Sequence, residues 1–353
     1  MFMVGFPGRE PDAELRALAA EGVLGAILFK RNLGAPEESA ALCRRLKEEA
    51  GRPFLLAVDQ EGGRVARLRG APFKELPPMR EVARRGGPAL AERAGRLLAL
   101  ELRAVGFDWD FAPVLDVDTN PANPVIGDRS FGRDPAQVAQ LGVALARGLE
   151  GGGVASCGKH FPGHGDTAAD SHLELPALPH DLDRLRRVEL VPFRAYAQAG
   201  LSAVMTAHVV FQALEPGVPA TMSRRALQGM LRDELGFRGV VVSDDLEMKA
   251  IAGRFSVGEA AVLGVLAGVD LFLVCSHAAL QREAIEAVVR AVESGRIPAS
   301  RILESGSRLD ALLGKFAHPP GERLGTLATA DHEALASGLA AITRGADPTE
   351  RPA

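Results

Sequence analysis

Eight short apolar runs, each followed by a longer segment of helical period, constrain the fold of this chain more than any other feature. The runs span residues 1–6, 22–29, 53–59, 107–117, 153–160, 201–208, 239–245 and 269–275. Most are continuous rather than alternating, which is typical of parallel strands that are buried on both faces. Residues 278–293 repeat apolar side chains every three or four positions, which predicts a helix with one buried face.

Successive strand–helix units of this kind predict an α/β fold, a (β/α)8 TIM barrel in a single domain. An open doubly wound sheet is the alternative. It is disfavoured because the chain has neither GxGxxG after the first run nor GxxxxGK[ST] anywhere. We expect the barrel to occupy residues 1–316, and a C-terminal appendage and tail to occupy residues 317–353.

Composition excludes several classes of protein. The 353 residues are 47% apolar and 24% charged, with a formal net charge of −4, so nothing favours nucleic acid or an anionic membrane as a partner. No signal-peptide pattern and no continuous apolar stretch of about 18 residues is visible, so we expect a cytoplasmic protein. Cys43, Cys157 and Cys275 are widely spaced and form no CxxC pair, which argues against a disulfide framework or a structural zinc site.

Polar residues concentrate where the predicted strands end, and in a barrel the loops at these ends form the active site. They are Asp59, Glu61 and Arg64 after the third strand, Lys159 and His160 on the fifth, His208 on the sixth, and Asp244 and Asp245 on the seventh. So many polar strand ends favour a site over solvated loop charges. Neighbouring strand residues point to opposite faces, so only one of Asp244 and Asp245 can easily face a cavity, and both could instead cap the following helix.

The densest polar segment is KHFPGHGDTAADSH, residues 159–172. Its Asp170 precedes His172 by two positions, so on a curved loop the carboxylate could fix the tautomer of the imidazole and raise its basicity. A polar surface loop with incidental histidines is the structural alternative. A second alternative is a divalent metal site built from His160, His164, Asp166 and His172.

Three cations, Arg67, Arg129 and Lys159, are candidates for ligand binding. The guanidinium fork of arginine suits paired hydroxyls or a carboxylate, although salt bridges to Asp59, Asp116 or Asp118 are the structural alternative. The chain has one Trp and one Tyr, so aromatic stacking platforms are scarce. This scarcity favours a small pocket that holds its ligand by hydrogen bonds.

Five motifs in this order resemble glycoside hydrolase family 3, and in particular its single-domain β-N-acetylglucosaminidases of cell-wall recycling. They are VDQEGGRVARLR (58–69), APVLDVDTNPANPVIGDRSFG (112–132), KHFPGHGDTAADSH (159–172), VMTAHV (204–209) and VVVSDDLEM (240–248). The resemblance covers roughly residues 20–275. The β-glucosidases of the family usually carry a second sandwich domain that donates the acid/base, and we expect none here, because the Asp-x-His loop is present instead.

The resemblance implies catalytic roles for Asp244 as nucleophile and for Asp170 with His172 as the acid/base pair. It also implies a set of residues that bind N-acetylglucosamine (GlcNAc): Asp59, Arg67, Arg129, Lys159 and His160, and less directly Met205 and His208. No cofactor or metal is implied. We expect a monomer that acts on a small carbohydrate, a GlcNAc-containing muropeptide or a chitooligosaccharide.

The implied reaction is retaining exo-hydrolysis that releases terminal GlcNAc from peptidoglycan-derived fragments such as GlcNAc–anhydroMurNAc. It proceeds through a covalent glycosyl-enzyme. Alternatives are a GlcNAc phosphorylase on the same scaffold, a metal-dependent hydrolase that uses the His/Asp cluster of 160–172, and a sugar sensor without turnover. Product analysis with and without phosphate, sensitivity to chelators, and a turnover assay distinguish them.

The assignment of His172 as the proton donor predicts an effect that depends on the leaving group. His172→Ala should abolish hydrolysis of substrates with poor leaving groups, because these need protonation, and should partly spare activated aryl glycosides. The measurement is kcat/KM on both substrate types. Equal losses on the two would contradict the assignment.

Overall fold

The computed structural model describes residues 1–168, 175–321, 323–339, 347 and 349. Its central element is a barrel of eight parallel strands, one from each apolar run. The strands are Phe2–Val4, Gly25–Ile27, Leu55–Val58, Trp109–Asp110, Cys157–Phe161, Ala203–Thr206, Val240–Asp245 and Leu271–Val274. We number these barrel strands one to eight in chain order.

Strand order confirms the predicted TIM barrel. Each strand pairs in parallel with its neighbour in the numbering, and the first pairs with the eighth through Met3 and Leu273. The fourth and fifth strands close the ring through the parallel bridges Trp109–Ala155 and Val114–Lys159. A separate parallel pair, Ala177–Leu178 with Val210–Phe211, lies outside the barrel.

Helices surround the barrel. They are Ala13–Glu21, Pro36–Ala50, Met79–Arg85, Pro88–Val105, Pro135–Gly151, Leu182–Arg187, Leu190–Gln198, Lys249–Ala252, Val257–Ala267, Ala278–Glu293, Ala299–Phe316 and Ala330–Ala336, with a π-helical segment at Arg225–Glu234. The helix predicted at 278–293 is confirmed. Local chemistry sets several starts, because Asp12, Asp181 and Ser256 accept backbone N–H groups of the first turn.

Two apolar layers hold the barrel together. The inner layer fills the barrel itself, where the rings of Trp109 and Phe111 meet edge to face at 5.1 Å. The outer layer lies between the strands and the surrounding helices. Because both faces of the strands are covered, most of the runs show no polar alternation, and this explains the pattern in the sequence.

The amino ends of the strands are closed by the helix Ala299–Phe316, whose Leu309, Leu312 and Phe316 join the inner layer. Asp270, just before the eighth strand, accepts hydrogen bonds from Arg232 at 2.7 Å and Arg301 at 2.9 Å. Burial lowers the pKa of Arg232 to about 10, although the carboxylate of Asp270 opposes this shift. The buried charges at this end are therefore paired within the fold.

The described residues 323–339 pack on the outer helices of the barrel. The imidazole of His332, in the helix Ala330–Ala336, is buried and lies 2.8 Å from Glu101. Burial raises the pKa of Glu101 to about 8. The division between a barrel at 1–316 and an appendage at 317–353 stays a prediction. Among the described helices, none combines the length and hydrophobicity needed to cross a bilayer.

The crossing of two outer helices predicts opposite effects for two Gly→Ala changes. A Cβ at Gly95 would lie 2.1 Å from the carbonyl oxygen of Leu145, whereas a Cβ at Gly306 would meet nothing within 4 Å. We expect Gly95→Ala to lower the free energy of unfolding by about 1–3 kcal/mol through overpacking. The control Gly306→Ala should raise it by about 0.5–1 kcal/mol, because it removes helical glycine entropy. Urea unfolding measures both, and equal effects would contradict this view of the crossing.

Candidate active site

The carboxyl ends of the barrel strands surround a cavity of about 720 Å³. This volume is within the usual range for sites that bind small molecules. Six of the residues predicted from the sequence line the cavity, and they come from strands and loops far apart in the chain. These residues are Asp59, Arg129, Lys159, His160, Met205 and Asp244.

A buried network of opposite charges forms one wall of the cavity. The Nζ of Lys159 lies 2.8 Å from Asp59 Oδ1 and 2.6 Å from Glu61 Oε1. Glu61 also accepts two parallel hydrogen bonds of 2.8 Å from the guanidinium of Arg129. The network therefore joins the loops after the third and fourth strands to the fifth strand.

The electrostatics of this network keep Glu61 and Lys159 charged. Burial by itself would raise the pKa of Glu61, but the charges of Arg129 and Lys159 outweigh it and hold that pKa well below its usual range. Burial would likewise lower the pKa of Lys159, yet Asp59 and Glu61 raise it above its usual range. The wall thus presents fixed charges, because paired ions resist the neutralisation that burial favours.

His160 is oriented from below by Asp116. The Nδ1 of His160 lies 2.7 Å from Asp116 Oδ2, and the backbone N–H of His160 donates to the same carboxylate. The N–H of His164 donates to Asp116 Oδ1 at 2.6 Å. A carboxylate at Nδ1 fixes the ring orientation and directs Nε2 away from the partner. Burial lowers the pKa of His164 to about 4, so His164 is neutral near pH 7.

Asp244 and Asp245, at the end of the seventh strand, have different environments. The Oδ1 of Asp245 accepts from the N–H groups of Glu247 at 3.1 Å and Cys275 at 3.3 Å, so this carboxylate serves the backbone. Asp244 is half-buried and lines the cavity, and its Oδ1 accepts the N–H of Asp245 at 2.8 Å. Both residues border the cavity, but the Asp245 carboxylate holds the loop.

Arg67 lies behind the cavity wall rather than on it. Its side chain is 1% exposed and donates to Asp59 Oδ2 at 3.3 Å. Two further contacts come from the end of the described chain, where Arg67 pairs with Asp347 and donates to Thr349 Oγ1 at 2.7 Å. Thr349 itself lines the cavity. A ligand hydroxyl that reaches the guanidinium would therefore compete with these two side chains.

The two predicted residues near the sixth strand differ in position. Met205 lies on the strand and lines the cavity. His208 is buried, with Nδ1 2.8 Å from Thr221 Oγ1 and Nε2 3.1 Å from the carbonyl oxygen of Asp245. The structure therefore places Met205 where a ligand could touch it, and His208 where it supports the loop that carries Asp244 and Asp245.

The predicted acid/base pair, Asp170 and His172, lies outside the described residues. Of the histidine and aspartate residues considered as metal ligands, Asp166 accepts from Thr119 Oγ1 at 2.6 Å and lies 2.7 Å from His180. His164 Nδ1 lies 2.8 Å from Thr167 Oγ1. Within the described part of the chain, no group of three His, Cys, Asp or Glu side chains is arranged to hold a metal ion.

Sequence reasoning did not assign roles to two residues of this site. The sequence indicates Glu61 only as a polar residue at a strand end, yet it links Arg129 to Lys159. It indicates Asp116 only as a salt-bridge partner for a cation, yet this carboxylate orients His160. In both cases the signal was a carboxylate within a quoted motif, but its partner could be identified only from the structure, in which distant strands are adjacent.

Comparisons with known proteins agree on one family. The profile described as Glycosyl hydrolase family 3 N terminal domain matches residues 1–312. A protein named beta-hexosaminidase from Thiobacillus denitrificans is 45% identical over 280 residues, covering 78% of this chain and 77% of that protein.

Solved structures give the same result. A glycoside hydrolase family 3 beta-N-acetylglucosaminidase from Paenibacillus sp. superposes with a TM-score of 0.89 at 44% identity, over 95% of this chain and 65% of the other. The present chain thus matches slightly less than two thirds of that protein. NagZ from Neisseria gonorrhoeae in complex with N-trifluoroacetyl-D-glucosamine superposes with a TM-score of 0.80 at 34% identity, over 96% of both chains.

The shared counter-ion of the charged wall predicts a large stability effect for Glu61→Gln. Without this carboxylate, Arg129 and Lys159 lose a common partner while both stay buried. We expect the free energy of unfolding to fall by about 3–5 kcal/mol, as when one partner of a buried ion pair is removed. Urea unfolding at pH 7 measures the change.

The control for this prediction is Glu333→Gln, which removes an exposed carboxylate paired with Lys74. Exposed pairs contribute little, so this variant should unfold like the wild type. Similar stability of all three proteins would show that the wall is not held by Glu61.

Proposed function

The chain belongs to glycosyl hydrolase family 3, and from this premise we propose that it is a retaining exo-β-N-acetylglucosaminidase. Its substrates are peptidoglycan-derived fragments that carry a terminal β-linked GlcNAc, of which GlcNAc–anhydroMurNAc is an example. The beta-hexosaminidase and beta-N-acetylglucosaminidase names of its relatives support this proposal. The observation that carries it is that Asp244 and the charged wall share one cavity.

The wall supplies a preformed binding surface for a sugar. Asp59 offers carboxylate oxygens that accept from hydroxyls, and Lys159 and Arg129 offer donors at fixed positions. Because each of these groups is held by an ion pair, little conformational entropy is lost when a sugar binds. His160, held by Asp116, adds a ring nitrogen. The proposed site also includes Arg67, Met205 and His208.

Asp244 is the proposed nucleophile. Its oxygen attacks the anomeric carbon while the bond from that carbon to the leaving oxygen breaks, which forms a covalent glycosyl-enzyme. A carboxylate that lines the cavity and accepts the N–H of Asp245 suits this role, because it borders the space where a ligand would lie and this bond helps to orient it. Asp245 is unsuited, since its carboxylate is bound to two backbone N–H groups of the loop.

His172, assisted by Asp170, is the proposed acid/base. In the first step its proton goes to the leaving oxygen, and in the second step the neutral ring takes a proton from the water that attacks the anomeric carbon. Support for these two residues comes from the Asp-x-His motif and its resemblance to the family. A histidine as proton donor avoids a second carboxylate in the active site. Two neighbouring carboxylates would each disfavour the ionised form of the other.

We place the reaction in the cytoplasm and propose that the enzyme acts as a monomer, without a cofactor or nucleic-acid partner. The cysteines Cys43, Cys157 and Cys275 are all buried as free thiols. Burial raises the pKa of the Cys43 thiol to about 12, so it stays protonated. Unreactive thiols of this kind suit a reducing compartment.

The proposal predicts covalent labelling of Asp244. A fluorinated GlcNAc fluoride that traps the glycosyl-enzyme should attach to the peptide that carries Asp244, because this carboxylate attacks the anomeric carbon. Peptide mass mapping of the trapped enzyme identifies the site. Asp245→Asn is the matched control, and it should still be labelled at Asp244, whereas Asp244→Asn should not be labelled.

Label on any other carboxylate would overturn the role of Asp244. The same preparation also distinguishes the rival reactions. Free GlcNAc, formed equally with and without phosphate and in the presence of a chelator, is the product expected of a metal-independent hydrolase. GlcNAc phosphate would instead identify a phosphorylase.

A further inference from the structure

A guanidinium of the proposed sugar site is covered by residues from the C-terminal end of the chain. Arg67 is 1% exposed and lies behind the cavity wall, although the resemblance to the family assigns it to the sugar. Asp347 pairs with its Nη1, and Thr349 Oγ1 accepts from its Nη2 at 2.7 Å. We call these two residues and their bonds to Arg67 the tail contact. Thr349 lines the same cavity as Asp244, so the tail contact reaches the proposed active site.

The tail contact is also ordered internally. Asp347 Oδ1 accepts the backbone N–H of Thr349 at 2.8 Å and its hydroxyl at 2.7 Å, while Oδ2 pairs with Arg67. An aspartate that binds the backbone two positions further on forms a compact turn. The carboxylate and the hydroxyl are therefore presented to one guanidinium as a unit.

The hydroxyl of Thr349 makes the two kinds of bond that a sugar hydroxyl would make. It accepts from Arg67 and donates to a carboxylate, that of Asp347. A sugar hydroxyl held by Arg67 and Asp59 would accept from the same guanidinium and donate to Asp59. The Nη2 that contacts Asp59 at 3.3 Å is the atom that also donates to Thr349. The tail contact and a sugar hydroxyl therefore need the same donor.

Barrel order places the tail contact opposite the proposed nucleophile. Asp59 and Arg67 follow the third strand and Asp244 ends the seventh, and these strands are four steps apart in either direction around the ring of eight. In a six-membered sugar ring, carbon 4 lies across from the anomeric carbon. A terminal sugar with its anomeric carbon at Asp244 therefore directs the hydroxyl of carbon 4 toward Asp59 and Arg67. The tail contact lies at that end of the sugar, away from the leaving group.

We propose that the tail contact is autoinhibitory, so that Asp347 and Thr349 occupy Arg67 in the free enzyme and are displaced when the terminal sugar binds. This inference rests on the proposed function, because it assigns Arg67 to the sugar. The two bound states exclude each other, since both use the same Nη2 donor. Only the fraction of the enzyme in which Arg67 is released from the tail contact binds sugar fully, and the apparent affinity is reduced by that fraction.

Loss of the tail contact should therefore strengthen sugar binding. Asp347→Ala removes a charged partner of Arg67 and the acceptor that orders Thr349, so we expect the Kd for GlcNAc to fall about tenfold. Thr349→Ala removes one hydrogen bond to the guanidinium and should lower the Kd about threefold. Isothermal titration calorimetry with GlcNAc measures both values without turnover.

Hydrolysis of an aryl β-GlcNAc substrate gives a second measurement. In both alanine variants kcat/KM should rise by the same factors as the affinity for GlcNAc. We expect kcat to stay unchanged, because the tail contact is already displaced in the enzyme–substrate complex. A residue with a purely structural role would not raise kcat/KM when it is removed.

Two control variants separate this effect from general changes in the C-terminal region. Asp347→Asn keeps the shape of the side chain and an accepting oxygen but removes the charge, so its Kd should lie between those of the wild type and Asp347→Ala. Glu333→Gln removes a carboxylate of the same region that pairs with Lys74, and it should leave both Kd and kcat/KM unchanged. Unchanged kcat shows that the variants are folded.

A Kd for GlcNAc that is unchanged or higher in Asp347→Ala would overturn the autoinhibition, and a higher value would mean that the tail contact is part of the sugar site. Failure of the proposed function is a separate result, because the wild type would then release no GlcNAc from the aryl glycoside.

Discussion

The ion network of Asp59, Glu61, Arg129 and Lys159 is the interaction on which this site depends. It connects three consecutive strands at their carboxyl ends, and its charges are largely removed from water. Each ion is acceptable there only because its partners are present, since an isolated buried charge would cost several kcal/mol. The same fixed charges form the wall that a sugar would meet.

Closure of the barrel is what allows this network to exist. The fourth and fifth strands meet through short bridges rather than a long ladder, and Lys159 takes part in one of them. Side chains from separate motifs can then reach one another across the end of the barrel. The two ends of the barrel differ, because at the amino end the helix Ala299–Phe316 donates Arg301 to Asp270, whereas the carboxyl ends of the strands surround a cavity.

Carboxylates at the open end divide into those that hold structure and those that face the ligand. Asp116 orients His160, Asp245 binds backbone N–H groups, and Glu247 fixes the loop of His277. Asp244 is half-buried and borders the cavity. The adjacent pair at residues 244 and 245 shows how one step along a strand changes the role of a carboxylate, because successive side chains have different neighbours.

The fold class was predictable from the sequence, because apolar periodicity follows directly from burial on both faces of parallel strands. All eight runs became barrel strands, although the run at 107–117 contributes only Trp109–Asp110 and the isolated bridge of Val114 with Lys159. The motifs also identified six of the residues that line the cavity. The partner of each charged residue depended on tertiary structure, because pairs such as Arg129 with Glu61 and His277 with Glu247 join distant segments. The local sequence does not indicate which distant residues form pairs. Closure of the strands into a barrel brings these residues together.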